Sequence, residues 1–317
     1  MLAIGIDIGG TKILGALVDE QGEILHELRV PSPAQDPDAL VDAVVGLIGE
    51  LSKLSSEPIV GAGVAAAGFI DADQSTILSA PNLNWRNEKL RKRLQARVDY
   101  EVVIENDANA AGWAEYKFGA GKGSKDMVML TLGTGVGGAI VADYKLRRGG
   151  FGVGAELGHV RVFPDGKLCG CGQRGCIEQY ASGTAVLKAA KKLVASDGPA
   201  GQRIREIAGD AELTGHHVYQ ALLENDPGSI ALFSQAGEHL GVAMASITAV
   251  LDPQVYVIGG GLSEAGDYLL EPIRKSYLAN LPARGYRPEA KIVAAQFSNQ
   301  AGVIGAADLA RETLARL

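Results

Sequence analysis

Apolar residues open the chain in two short runs, Ile4-Gly5-Ile6-Asp7-Ile8 and Ile13 to Asp19, separated by Gly9-Gly10-Thr11-Lys12. Apolar stretches this short, bounded by glycine, predict buried strands joined by a turn. A third strand is predicted at Glu23 to Val30, after the turn at Gln21-Gly22. From Asp36 to Leu54 the spacing changes. Leu40, Val44, Leu47, Ile48 and Leu51 recur at a helical period, and Pro37 suits the first turn of such a helix. Ile59 to Val64 is again strand-like, with a glycine-rich exit that ends at Gly68. Val102 to Ile104 predicts a short strand running into Glu105-Asn106-Asp107-Ala108-Asn109-Ala110, whose alanine-rich continuation should be helix.

A second half begins at Met127. Shifting the chain by 124 positions lays Asp7 on Thr131, Gly9 on Gly133, Thr11 on Gly135 and Asp19 on Asp143. Both segments are then an apolar strand, a Gly/Thr turn and a second apolar strand, which suggests a duplicated domain with a cleft between the halves. Helical patterns follow at Ala185 to Ala195, around Val218 to Leu223, and from Ser229 to Val250. Val255 to Ile258 is a strand ended by Gly259-Gly260-Gly261, and Ala301 to Leu317 is an alanine- and leucine-rich helix. Strands alternating with helices predict an α/β fold. The expected division is a small N-terminal domain at 1–116, a larger one at 117–300, and the helix at 301–317 packing back on the first.

Composition narrows the function. A chain of 317 residues suits two domains better than one. A net charge of −7 argues against a nucleic-acid partner, which normally needs a basic face. No stretch approaches the ~20 apolar residues of a membrane helix, and the N-terminus enters a strand pattern without the features of a signal peptide. A cytoplasmic location is expected.

Two turns point to phosphate. Asp7-x-Gly9-Gly10-Thr11-Lys12 and Leu132-Gly133-Thr134-Gly135-x-Gly137-Gly138 combine glycines, which let backbone N–H groups wrap an anion, with hydroxyls and an amine that add donors. Neither is a Walker turn or a dinucleotide fingerprint, because each leads back into a strand. Either turn taken alone reads first as a plain tight hairpin; two at equivalent places, the first preceded by a carboxylate, point to phosphate. Gly259, Gly260 and Gly261 form a third turn against which a flat base could lie.

Glu105-Asn106-Asp107 sits at a strand end, where open α/β sheets place ligands. Asp107 is the candidate base for a transfer to an alcohol, with Asn106 on a neighbouring hydroxyl. The competing role for Asp107 is to cap a helix starting at Ala108.

The three cysteines fall within eight residues. His159, Cys169, Cys171 and Cys176 form His-x9-Cys-x-Cys-x4-Cys with glycines interleaved. Three thiolates and one imidazole make a closed, structural tetrahedral zinc shell; a redox-sensing thiol cluster is the alternative. Glu156 and Glu178 flank this loop. They are either preorganised acceptors for sugar hydroxyls or surface charge.

Taken together, these motifs resemble the ROK (repressor–ORF–kinase) family within the actin/hexokinase-like (ribonuclease H-like) superfamily. The resemblance runs nearly the whole chain, through Asp7 to Lys12, Glu105 to Ala110, Leu132 to Gly138, Gly154 to His159 and Cys169 to Glu178. It implies ATP-dependent phosphorylation of the 6-hydroxyl of a hexose, glucose first, with Asp107 as base and Asn106, Glu156, His159 and Glu178 on other hydroxyls. His159 would serve zinc through one ring nitrogen and sugar through the other. Gly68 and Asn82 would complete the pocket, although Ala65-Ala66-Ala67 departs from the family's proline in that stretch. Mg²⁺ on ATP would be held by Asp7 through water, and homodimers or tetramers are implied. A family regulator would carry a DNA-binding motif before the first strand, where this chain starts in the strand. Kinases for N-acetylmannosamine, N-acetylglucosamine, mannose or fructose share the same motifs.

Overall fold

The structure is a computed structural model that describes residues 1–80, 83–196 and 198–315. The chain divides into two compact units, Met1–Met127 with Ala139–Ala155 and Gln296–Leu317, and Val128–Gly138 with Glu156–Ala295.

The first unit begins with β1 (Leu2–Ile8), β2 (Lys12–Val18) and β3 (Ile24–Pro31), the three predicted strands. Helix α1 (Pro37–Lys53) follows. Its boundaries come from local chemistry: the Asp36 carboxylate accepts the Asp38 and Ala39 N–H groups at 3.0 and 3.1 Å, and Pro37 occupies the first turn. The apolar stripe Leu40, Val44, Leu47, Ile48 and Leu51 is buried. Next come β4 (Ile59–Ala66), a small sheet of β5 (Phe69–Ile70), β6 (Ile77–Ala80) and β7 (Trp85–Glu88), then α2 (Leu90–Gln95), β8 (Val102–Asn106) and α3 (Asp107–Lys117).

The main sheet has the order β3-β2-β1-β4-β8, antiparallel at β3-β2-β1 and parallel at β1-β4-β8. Ile4, Ile6, Val64 and Ile104 point from it into a core closed by α1. On the other face lies α10 (Ala301–Leu314), whose Val303, Ile304 and Ala307 pack with Ala3, Ala16 and Ala114. Buried Glu115, on α3, ties the return segment down by accepting the Gln296 and Phe297 N–H groups at 2.7 Å each.

β9 (Met127–Leu132), β10 (Val136–Ala142) and β11 (Lys145–Leu146) start the second sheet. The division between the units passes through β10, whose last residues are counted with the first unit. The second unit continues with α4 (Glu178–Ala181), α5 (Gly183–Ala195), α6 (Gln202–Ala208), α7 (Gly215–Leu223), α8 (Pro227–Leu251), β12 (Val255–Gly259), α9 (Asp267–Asn280) and β13 (Lys291–Ala294). The second sheet has the order β11-β10-β9-β12-β13, matching the first position for position. The 124-residue shift that aligned the two motifs maps β2 onto β10 at both ends. Duplication is therefore visible in topology as well as in the turns.

Candidate functional site

In the first unit the site grows from the C-terminal ends of parallel strands, where backbone runs out and side chains are left facing an opening. Asp7 sits next to last on β1, and the following Gly9–Thr11 turn is closed by the Gly9 N–H donating to the Lys12 carbonyl at 3.0 Å. Gly10, Thr11 and Lys12 are exposed. Burial, then the negative charge of Asp107, pushes the Asp7 carboxyl up to about 7, with Lys12 opposing. Gly302, in the first turn of α10, makes room for it: a Cβ there would lie 2.6 Å from Asp7 Oδ2.

At the end of β8 the helix cap is Asn106, not Asp107. The Asn106 side-chain oxygen accepts the Asn109 N–H at 3.0 Å, and α3 starts one residue earlier than the sequence suggested, at Asp107. Asp107 Oδ1 accepts the adjacent Ala108 N–H at 2.9 Å, and burial raises its carboxyl above the usual range. Asn106 Nδ2 donates to the Gly68 carbonyl at 3.1 Å, which brings two of the predicted sugar-pocket residues together. Asn82 lies outside the described residues.

The second unit holds the metal loop. The ligand atoms of His159, Cys169, Cys171 and Cys176 all lie within 4.8 Å of one another. His159 Nδ1 is 3.7 Å from Cys169 Sγ, and Cys171 Sγ is 3.6 Å from Cys176 Sγ. Around a tetrahedral zinc with Zn–S of ~2.3 Å, two sulfurs sit ~3.8 Å apart, so the spacing fits. Burial, then the neighbouring thiols of Cys171 and Cys169, pushes the Cys176 thiol up to about 12. A shell of three thiolates therefore calls for a cation.

Glu178 starts α4 directly after this loop and also touches the second glycine turn. Its Oε2 accepts the Val136 N–H at 3.1 Å. Gly135 permits this approach, since a Cβ there would fall 2.5 Å from the same oxygen. Glu156, half-buried, closes the His159 turn, its carbonyl accepting the His159 N–H at 3.0 Å.

A cavity of about 400 Å³ opens beside that turn, lined by Gly133, Thr134, Gly261, Thr184, His216 and Tyr219 among others. Its size is in the range of small-molecule sites. Thr184 Oγ1 donates to the Thr134 carbonyl at 2.7 Å, and the Gly183 N–H to the Gly133 carbonyl at 2.8 Å, fixing the turn to the start of α5. Of the other glycines predicted here, Gly259 is buried at the end of β12, Gly260 packs against the backbone of Leu132, and Gly135 faces Glu178. Thr184, His216 and Tyr219 carry no local sequence signal. They reach the cavity because α5 and α7 begin beside it.

Two five-stranded sheets of identical strand order, each opening on a glycine-turned hairpin, define an actin/hexokinase-like fold. The ROK family model matches residues 3–313, and the chain belongs to the ROK family. Among its relatives, a glucokinase of Streptomyces coelicolor is 46% identical over 314 residues, covering 98% of each chain. An N-acetylmannosamine kinase of Escherichia fergusonii is 33% identical, covering 98% of this chain and 99% of the relative. The crystal structure of a ROK family glucokinase from Streptomyces griseus, in complex with glucose and AMPPNP, superposes with a TM-score of 0.88 at 43% identity, covering 98% of this chain and 100% of that one.

Proposed function

We propose that this chain is a glucokinase, transferring the γ-phosphoryl group of ATP to the 6-hydroxyl of glucose. The observation that carries the proposal is the placement of Asp7, near the end of β1, and Asp107, just past the end of β8, on one sheet with β4 between them, close enough for the charge of one to raise the pKa of the other. One carboxylate takes the hydroxyl proton while the other faces the nucleotide side. Identity of 46% to a glucokinase over the whole chain supports glucose as the acceptor.

In this reading the raised pKa of Asp107 makes it a better proton acceptor than an ordinary carboxylate. As the phosphorus–oxygen bond to the sugar forms, the O6 proton passes to Asp107 and ADP departs. Asp7 would hold the magnesium of ATP through water, as that ion retains hydration. Mg²⁺ neutralises phosphate charge when bound. Backbone N–H groups of the turns at Gly9–Lys12 and Gly133–Gly135 take phosphate oxygens, and the cavity at Gly133, Thr134 and Gly261 takes the nucleoside. Asn106, Gly68, Asn82, Glu156, His159 and Glu178 take the remaining sugar hydroxyls. A zinc held by His159, Cys169, Cys171 and Cys176 would be structural and would keep His159 and Glu178 in place.

Among the described residues no helix is long and apolar enough to cross a membrane. We place the enzyme in the cytoplasm, where ATP is abundant and thiols stay reduced, and propose that it works as a homo-oligomer. A coupled assay across glucose, mannose, fructose and the N-acetylhexosamines tests the proposal. The highest kcat/KM is expected with glucose and ATP; a higher value with N-acetylmannosamine would reassign the substrate, and no transfer from ATP to any sugar would overturn the kinase reading.

A further inference from the structure

Glu105 precedes the Asn106–Asp107 pair and is only 3% exposed, yet it carries a carboxylate. A charge buried to that degree is tolerated only when paired and hydrogen-bonded. Four hydrogen bonds and an ion pair meet that need, and their partners come from three separate segments of the first unit. Arg148 Nε donates to Oε2 at 2.6 Å, and its Nη2 forms an ion pair with the same oxygen at 2.5 Å. Gln74 Nε2 donates to the same oxygen at 3.1 Å and to the Ile104 carbonyl at 3.1 Å. Oε1 accepts the Asn106 N–H and the Asn109 Nδ2, both at 3.0 Å.

The geometry has a direction. Oε2 is gripped by residues far away in sequence, while Oε1 grips the corner that carries Asp107. Arg148 lies just after β11, and Gln74 lies in the tight loop between β5 and β6, held there in the left-handed region at φ 51°. That loop is braced by Asp71, which accepts the Ser75 and Thr76 N–H groups at 2.8 and 3.1 Å. A non-glycine residue at positive φ costs of order 1 kcal/mol, and here the conformation is what aims the Gln74 amide at Glu105.

We propose that Arg148 is a positioning residue for phosphoryl transfer, acting through Glu105 to hold the Asn106–Asp107 corner in register with the reacting hydroxyl. Arg148 touches neither substrate nor Asp107 in this role. It supplies a two-point grip that a lysine, with a single ammonium, cannot reproduce. The proposal rests on Asp107 being the base of a sugar kinase, but its test includes a readout that does not.

The test uses the intact protein with Arg148→Met, Arg148→Lys, Glu105→Gln and the Arg148→Met/Glu105→Gln double variant. Displacing a reacting group by a fraction of an ångström to 1 Å lowers rates by about 10–100-fold. Arg148→Met is expected to lose about that much in kcat with glucose while the KM for ATP stays within about twofold. Arg148→Lys should recover part of the loss. In the double variant the losses should not multiply, because the two residues act as one unit. Hydrogen exchange gives the independent readout: the Asn106 amide, which donates to Glu105, should exchange faster in Arg148→Met than in wild type, while amides in α1 are unchanged. If the wild type phosphorylates no sugar but the Asn106 amide responds in this way, the clamp stands and the kinase reading fails. Arg148→Met with wild-type kcat and wild-type exchange at Asn106 overturns the proposal, as does a double variant whose losses multiply. Loss of protection throughout the chain would assign Arg148 to global stability and overturn it too.

Discussion

Asn106 caps α3 through Asn109, its side-chain oxygen 3.0 Å from the Asn109 backbone nitrogen, so the neighbouring Asp107 is relieved of that duty. An N-cap is worth ~1 kcal/mol when replaced by alanine. Structural and chemical work are thereby divided between adjacent residues.

The first prediction follows from this division. Asp107→Asn should lower kcat by ~10²–10⁴, the usual worth of a positioned general base, with little change in melting temperature. Glucose affinity, measured by calorimetry, should change by no more than one hydrogen bond, about 1–2 kcal/mol. Near-normal kcat with a clearly lower melting temperature would remove Asp107 from the base role and direct attention to Glu156 or Glu178.

The metal loop predicts about one zinc per chain, held by His159, Cys169, Cys171 and Cys176. Elemental analysis should find it in purified protein, and Cys176→Ser should lower both zinc content and melting temperature. Because Glu178 follows the loop directly, chelation should also raise the KM for glucose. Metal-free protein with unchanged melting and full activity would contradict the assignment.

Acidity supplies a third prediction. Burial and the charge of Asp107 push Asp7 up to about 7 from an ordinary value of 3.8. A carboxyl whose folded pKa is raised favours the fold in its protonated form. Its contribution to stability is fully present below the unfolded value near 3.8 and is lost as pH rises through about 7. Activity should run the other way, since both carboxylates must be ionised: kcat/KM should fall as pH drops through about 7. Asp107→Asn removes a negative neighbour, so chemical-shift titration of Asp7 in that variant should show a lower pKa. An unchanged Asp7 titration would mean the two groups are not coupled.

The second glycine turn gives a fourth. Adding a methyl group at Gly135 would place it 2.5 Å from Glu178 Oε2 and displace that carboxylate from the Val136 N–H. Gly135→Ala should therefore raise the KM for glucose, whereas Thr134→Val, on the cavity side of the same turn, should raise mainly the KM for ATP. Equal effects of both variants on both substrates would show that the turn does not separate the two sites.

Much of this was legible in the linear chain because its physics is local. Apolar runs on either side of a glycine turn predicted β1 and β2, then β9 and β10, and the Asp36-Pro37 signal with the Leu40 to Leu51 stripe predicted both ends of α1 to within a residue. The His159–Cys176 cluster was legible for a similar reason, since three of its four residues lie within eight positions and glycines between them let the loop curl. What needed tertiary structure were partnerships across long separations. Glu105 had no assignable role until Gln74 and Arg148, 31 and 43 residues away, converged on it. The small β5–β7 sheet escaped notice because strands of two to four residues leave no period to detect. Even the cap of α3 was decided by packing: Asn106 and Asp107 are both good capping residues, and the Gly68 carbonyl, 38 residues away, holds Asn106 where its oxygen meets Asn109.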